Sequence, residues 1–419
     1  MQCLVPHSNQ SLSRGLPPVT QIHKANRRVN EKIQTFTAKH LLEMLCLSPY
    51  IDESLYGKKT LYRDRLSTTL ISLISFKVPG NCERYVETLN KMKILVTGAT
   101  GFVGSFLLEK LTELGVAEII AHYHSSLKTP VKKGIDGQVS WVRADIISDQ
   151  LDALVSGVDV VYHLAAYSSV EESEAANQML HNINVEGTRR LAEASRRAGV
   201  RHFVFVSSVA ACEMGKHPEI NEENGFPVTP YGLSKRSAEE ILFSMSSDGF
   251  EVTVLRPSAL FGEDHLGSVC ELAKVICQGR FVIFGRGENR TNFYYIRDFI
   301  EVLAGVLDNK KAFGQIFIAS DEPLPLHELS SLIADRAGYK RFIPKVPVFI
   351  GYIIASVFDL LSIVLGKSLP LSKRRLNAMK RDVVYSNKKL GEVLGITPKF
   401  GVREGLKVSI AWYRQTGQL

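Results

Sequence analysis

The chain has 419 residues, 45% of them hydrophobic and 22% charged, a length for two or three domains and an ordinary globular composition. Its net charge of +8 lies mostly in residues 1–91, which hold 13 Lys/Arg against 7 Asp/Glu and leave only +2 for residues 92–419. With no basic stripe interleaved with aromatics, nucleic acid is not an expected partner, and six cysteines without a C-x-x-C or Cys/His cluster exclude a disulfide framework and a metal site and fit a reduced, cytoplasmic setting.

Residues 1–91 show no persistent period; a short helix at 39–47 and an apolar run at 68–76 are the only elements expected there. Two readings of this arm stay open: an added docking or regulatory segment, or an extension upstream of a natural start at Met92. From Met92 onward the pattern predicts strands at 93–97, 118–122, 139–144, 158–164, 202–207 and 251–255. Helices are expected between them, at 104–114, 148–156, 174–198 and 231–247. Such alternation predicts an α/β fold, a doubly wound parallel sheet whose ligands sit beyond the carboxyl ends of its strands. After Pro257 the alternation becomes irregular, with short strands at 281–284, 292–296 and 315–319. Residues 258–419 are therefore read as a smaller, mainly substrate-binding lobe, interleaved with a dinucleotide-binding domain at 92–257.

Three features in this stretch bear chemistry. The first is an apolar strand followed by Gly98, Gly101 and Gly104 and then a helical pattern. Strand, glycine turn and helix aim backbone N–H groups and a helix N-terminus at a diphosphate. The second is Tyr231 and Lys235, four apart on one helix face. An ammonium beside a phenol favours the phenolate, which can then move a proton at a carbinol or carbonyl oxygen. The third is the buried strand ending in Ser207 and Ser208, 23 residues before Tyr231. A hydroxyl at that strand end can hold the same substrate oxygen.

These residues resemble the extended short-chain dehydrogenase/reductases, the NAD-dependent epimerase/dehydratase family. The resemblance runs from residue 92 to about 415. It rests on the turn Gly98–Gly104, Ala144-Asp145-Ile146, His163-Leu164-Ala165-Ala166 and Asn184-Val-Glu-Gly-Thr188. Val206-Ser-Ser208, Tyr231-Gly-Leu-Ser-Lys235 and Leu255-Arg-Pro257 complete it.

The resemblance implies roles. Tyr231 is the proton donor or acceptor, Lys235 lowers its pKa and holds the nicotinamide ribose, and Ser208 orients the substrate oxygen. Asn184 supports a proton path. Gly98, Thr100, Gly101, Phe102, Val103 and Gly104 cradle the cofactor, with His124, Asp145 and Ile146 at its adenosine end. Leu164, Ala165 and Ala166 run along it, and Pro257 lies near the nicotinamide. His163 is read as a structural residue at a strand end. The cofactor is NAD or NADP: the second strand ends in His122-Tyr123-His124 with neither an acid nor an Arg to decide.

For the reaction, hydride transfer at a secondary alcohol or ketone of a small apolar molecule is expected, as in the 3β-hydroxysteroid dehydrogenase and dihydroflavonol reductase branch. Asn292, close to where sugar-nucleotide enzymes of the family place an arginine for the diphosphate, favours it; Arg290 is displaced from that place. The alternative is a nucleotide-sugar epimerase or dehydratase with tightly held NAD. Residues 346–365 are apolar but for Asp359 and have basic flanks. They are read as a helix covering the lobe, with an interfacial membrane helix and a true span as alternatives. A homodimer is the expected assembly.

Overall fold

The computed structural model describes Leu89 and residues 91–125, 139–168, 173–215, 219–365, 372–373, 376–377 and 380–419. The elements expected at 39–47 and 68–76 lie outside the described residues. Seven strands form one sheet: β1 (Lys93–Thr97), β2 (Glu118–Tyr123), β3 (Val139–Arg143), β4 (Val160–His163), β5 (His202–Val206), β6 (Glu251–Pro257) and β7 (Gln315–Ala319). Their order is β3-β2-β1-β4-β5-β6-β7, and every neighbouring pair is parallel. This is a doubly wound sheet with its order reversing beside β1, where a crevice opens at the carboxyl ends.

The strands read as near-continuous apolar runs because both faces are covered. Ile94, Val96, Tyr162, Val204 and Leu255 pack on one side with α1 (Phe102–Glu113). Leu95, Val161, Phe203, Phe205 and Val254 pack on the other. There they meet the helical stretch α2 (Glu174–Leu180), a π-helical turn (His181–Gly187) and α3 (Thr188–Arg197), together with α4 (Pro230–Met245).

Beyond β6 the chain adds α5 (Ser268–Cys277), α6 (Ile296–Val306), β7, α7 (Leu326–Ala337), α8 (Val348–Leu365), α9 (Lys388–Leu394) and α10 (Gly401–Gln415). Thus β7, from the second half, closes the edge of the sheet of the first half, and Glu87–Leu419 forms one compact unit.

One expected helix, 148–156, is not there. Leu151, Leu154 and Val155 are buried, but the segment makes single turns and Gly157 ends it at φ +66°. Its register is set by Asp149, whose carboxylate accepts the Asp145 N–H at 2.8 Å. An acid spent on a local turn competes with helix propagation.

Candidate active site

The glycine turn follows from steric need. Gly98 has φ +66°, and a Cβ there would sit 2.8 Å from the Ala165 nitrogen. A Cβ on Gly104 would lie 2.4 Å from the Gly98 carbonyl oxygen. Only glycine lets β1, the turn and α1 close this tightly against Leu164 and Ala165. Gly101 is the extended N-cap of α1, and the first turn of that helix carries no acid. Its amide end therefore presents positive charge without a competing carboxylate, and this turn fits a dinucleotide diphosphate. Thr100 and Val103 are half-buried beside it, while the Phe102 ring turns away and stacks on His265 with centroids 4.4 Å apart.

Behind the turn, a chain of hydrogen bonds locks β1, β4 and α3 together. Thr188 donates to the Asn184 carbonyl at 2.7 Å, so its oxygen accepts from His163 Nε2 at 2.9 Å. The other ring nitrogen then accepts from the Thr97 hydroxyl at 2.7 Å. Thr97 in turn accepts the Leu164 and Ala165 N–H groups. Burial drives the His163 pKa down to about 3, so the ring is a neutral strut that fixes 164–165 beneath the turn.

The residues expected to handle protons meet where β5 ends. Ser207 donates its hydroxyl to buried Glu239 at 2.5 Å, which leaves Ser208 as the strand-end hydroxyl beside the Tyr231 phenol, whose pKa it lowers while its oxygen accepts the Ala210 N–H at 3.1 Å. Their approach has a local cause. Thr229 caps α4 by accepting the Gly232 N–H at 3.1 Å, and Pro230 occupies the first turn. Gly232 presses so closely on the segment after Ser208 that a Cβ would be 2.2 Å from the Ala210 carbonyl oxygen. Tyr231 and Ser208 are thereby seated side by side.

The expected acidification of Tyr231 by Lys235 is not found here. Burial pushes the phenol up, and the neighbouring Ser208 hydroxyl is what pulls it down. Lys235 instead donates to the Val206 carbonyl at 2.9 Å and lies over the Phe205 ring at 4.7 Å. Burial lowers the ammonium itself from 10.5 to about 8, while Glu239 one turn on holds it up. Four-residue spacing places both side chains on one face of α4, but the long Lys stem reaches down to the strand end rather than across to the phenol.

Asn184 is buried and fully engaged. Its amide hydrogens go to the Tyr167 carbonyl and to Ser234 Oγ, and its oxygen accepts the Tyr167 N–H. Both hydrogens are spent, so it braces the loop after β4 against α4. The π-helical turn that aims it inward is an irregularity common at functional sites.

At the end of β2, where the resemblance places the adenosine, the sequence gap is filled from a neighbouring strand. His124 is exposed and lies 3.8 Å from the Asp145 carboxylate, and Arg143 donates to the His124 carbonyl at 3.1 Å. The acid and the arginine missing from the end of β2 thus come from β3 and just beyond it. Pairing of β2 with β3 was the signal for this, since it brings Tyr123 opposite Arg143. Asp145 is held below the usual carboxylate range by the Ile147 N–H and the Ser148 hydroxyl, and Ile146 packs against Gly187. Pro257, on the far side of the crevice, pairs in register with Ala319.

Arg290 and Asn292 are both engaged within the protein. Arg290 forms a two-pronged ion pair with Asp382, at 3.0 and 2.9 Å. Asn292 is buried, bonded to the Asp321 carbonyl and the Tyr385 N–H. It clamps the strand to the segments around Asp321 and Tyr385.

A model of the NAD dependent epimerase/dehydratase family matches residues 94–319. An N-acetyl-alpha-D-glucosaminyl-diphospho-ditrans,octacis-undecaprenol 4-epimerase of Escherichia coli O157:H7 is 30% identical over 295 residues, covering 68% of this chain and 84% of that protein. A 3beta-hydroxysteroid-dehydrogenase/decarboxylase (isoform 2) of Arabidopsis thaliana is 27% identical over 346 residues, covering 75% of this chain and 61% of its own. In three dimensions the chain is similar to the UDP-glucose 4-epimerase of Thermotoga maritima, solved with UDP-glucose, with a TM-score of 0.62, 25% identity and coverage of 78% and 99%. With the glycine turn, the strand-end serine and the Tyr/Lys helix inside or beside the matched span, the chain belongs to the NAD dependent epimerase/dehydratase family.

Proposed function

We propose that this chain is an NAD-dependent epimerase acting on a sugar carried on a diphosphate. The carrying observation is the juxtaposition of Tyr231 and the Ser208 hydroxyl, close enough to lower the pKa of the phenol, at the carboxyl end of the sheet that also holds the glycine turn, two strands away. In this reading Tyr231 removes the proton from a ring hydroxyl and later returns it, and Ser208 holds that oxygen throughout. Lys235 keeps a positive charge beside the cofactor ribose, and Asn184 positions α4. The turn at Gly98–Gly104 holds the cofactor diphosphate, and residues 258–419 supply the substrate lobe. NAD, when bound, supplies the acceptor and donor of the hydride. Inversion requires only that the ketone turn its other face before the hydride returns, so no net redox occurs. Two relatives support this choice, because the named substrates of the E. coli and T. maritima enzymes both join a sugar to a diphosphate.

A second reading, net oxidation of an apolar alcohol, draws on the pairing of Arg290 with Asp382, which occupies the arginine nearest the usual diphosphate position. The two readings separate in one experiment. Purified protein is given UDP-sugars, polyprenyl-diphosphate sugars, sterols and flavonoid-like ketones, with and without added NAD or NADP. The epimerase yields a new sugar isomer by chromatography at constant reduced-nicotinamide absorbance, and the UDP and polyprenyl arms show which carrier is used. An absorbance change that requires added NAD(P) and an apolar alcohol overturns it.

The buried ammonium gives this reading a pH signature with two opposite signs. Lys235 is charged below about pH 8 and loses its proton above it. Activity that depends on the ammonium therefore falls as pH passes about 8. Between about 8 and 10.5 the folded protein holds fewer protons at this site than the unfolded chain, so stability rises with pH across that window. Measured kcat/KM and thermal melts should move in opposite directions there, and Lys235→Met should abolish both trends.

A further inference from the structure

One long face of α8 is apolar and open. Phe349, Ile353, Val357 and Leu360 recur at helical spacing and stand 50–64% exposed. Phe342, just before the helix, is 81% exposed. The opposite face is firmly seated: Ala355 is fully buried, and Gly351 fits so closely that a Cβ would meet the Phe284 ring at 2.7 Å. The helix is thus anchored to the lobe by its small residues while its large ones point outward. Contiguous exposed apolar surface of this kind marks an interaction site.

Charge says which kind. Residues 340–381 contain nine Lys/Arg and a single acid, Asp359, and so carry +8 in a 92–419 stretch that totals +2. Even that one carboxylate is occupied, accepting the Lys373 N–H at 3.2 Å. A cavity of about 650 Å³ at the start of α8 is lined by Arg286, His327 and Lys345 against only Glu288. A second copy laid on this face would bring two such positive segments together, which repels. Among the described residues no helix is long and apolar enough to cross a membrane. An apolar stripe framed by lysine and arginine suits the boundary between headgroups and acyl chains of an anionic bilayer.

We propose that α8 lies in the surface of an anionic membrane, with Phe349, Ile353, Val357 and Leu360 in the acyl boundary and the exposed Lys340, Arg341, Lys345, Lys373, Lys380 and Arg381 against the headgroups. This placement holds whichever substrate the site takes. The test floats the full-length protein with vesicles of phosphatidylcholine alone and of phosphatidylcholine mixed with phosphatidylglycerol. The protein floats with the mixed vesicles, at least about tenfold less with phosphatidylcholine alone, and is released by high salt. Ile353→Ser with Leu360→Ser, and separately Lys340→Glu with Arg341→Glu, each lower the bound fraction at least about tenfold, with melting temperature and turnover unchanged. Wild-type protein that stays unbound overturns the proposal, as does binding that survives both pairs of substitutions. Sedimentation adds a third check: if the serine pair converts a dimer to a monomer and vesicles are ignored, the face is a contact between copies and the proposal fails.

Discussion

Tyr231→Phe is expected to lower kcat by about 10³-fold, the scale on which a positioned proton donor and acceptor acts. The fold should hardly notice. The phenol's polar neighbour is the Ser208 hydroxyl, and even a full hydrogen bond there contributes only about 0.5–1.5 kcal/mol net. Phe preserves the ring and its packing at the first turn of α4, which Thr229, Pro230 and Gly232 fix independently of the hydroxyl. Cofactor retention, read by mass spectrometry of the purified variant, should also persist, because the Gly98–Gly104 turn is unaltered. Ser208→Ala should cost less, about 10-fold to 10²-fold, since it loses orientation and not the proton itself. Retention of more than a tenth of kcat in Tyr231→Phe would remove this residue from the chemistry and leave the glycine turn as the sole support for the site.

The parts of this protein written as local pattern were legible. The strands of the sheet are buried on both faces and so appear as unbroken apolar runs, and the Gly98 turn appears because only glycine accepts a left-handed conformation pressed against another backbone. What could not be read joins distant positions. The line Thr97–His163–Thr188–Asn184 ties four segments by side-chain hydrogen bonds that leave no periodic trace. Arg143 and Asp145 reach His124 only because β3 pairs with β2. The stretch 148–156 has apolar residues at helical spacing, yet its acids close turns instead. Spacing places Lys235 on the face of Tyr231, but a four-carbon stem has reach, and where it ends is decided by the Val206 carbonyl.

The largest expected loss of stability lies beneath the site, at Glu239. Among the described residues Arg256, on β6, is the largest side chain with no solvent exposure, and Glu239 on α4 is 1% exposed. They form a two-pronged pair, Nε to Oε1 at 2.9 Å and Nη2 to Oε2 at 2.6 Å. The remaining guanidinium donor Nη1 goes to the Glu222 carbonyl at 3.0 Å, and Ser207 completes the carboxylate. Glu239→Gln keeps the shape and removes the charge, so Arg256 is left buried without a counter-ion. Breaking such a pair from one side costs about 3–5 kcal/mol, because the surviving charge cannot regain its hydration. A thermal melt should drop by several degrees, and the loss should reach function as well, since Ser207 adjoins Ser208 and the Glu239 charge supports the Lys235 ammonium. The double variant Glu239→Leu with Arg256→Met removes both charges and should recover most of the stability, as buried pairs often exchange for apolar residues at little net cost. Turnover should not return with it, because the Ser207 hydroxyl is then unpaired and Lys235 has lost its nearby carboxylate. A double variant no more stable than Glu239→Gln would show that packing around 239 and 256, and not the stranded charge, accounts for the loss.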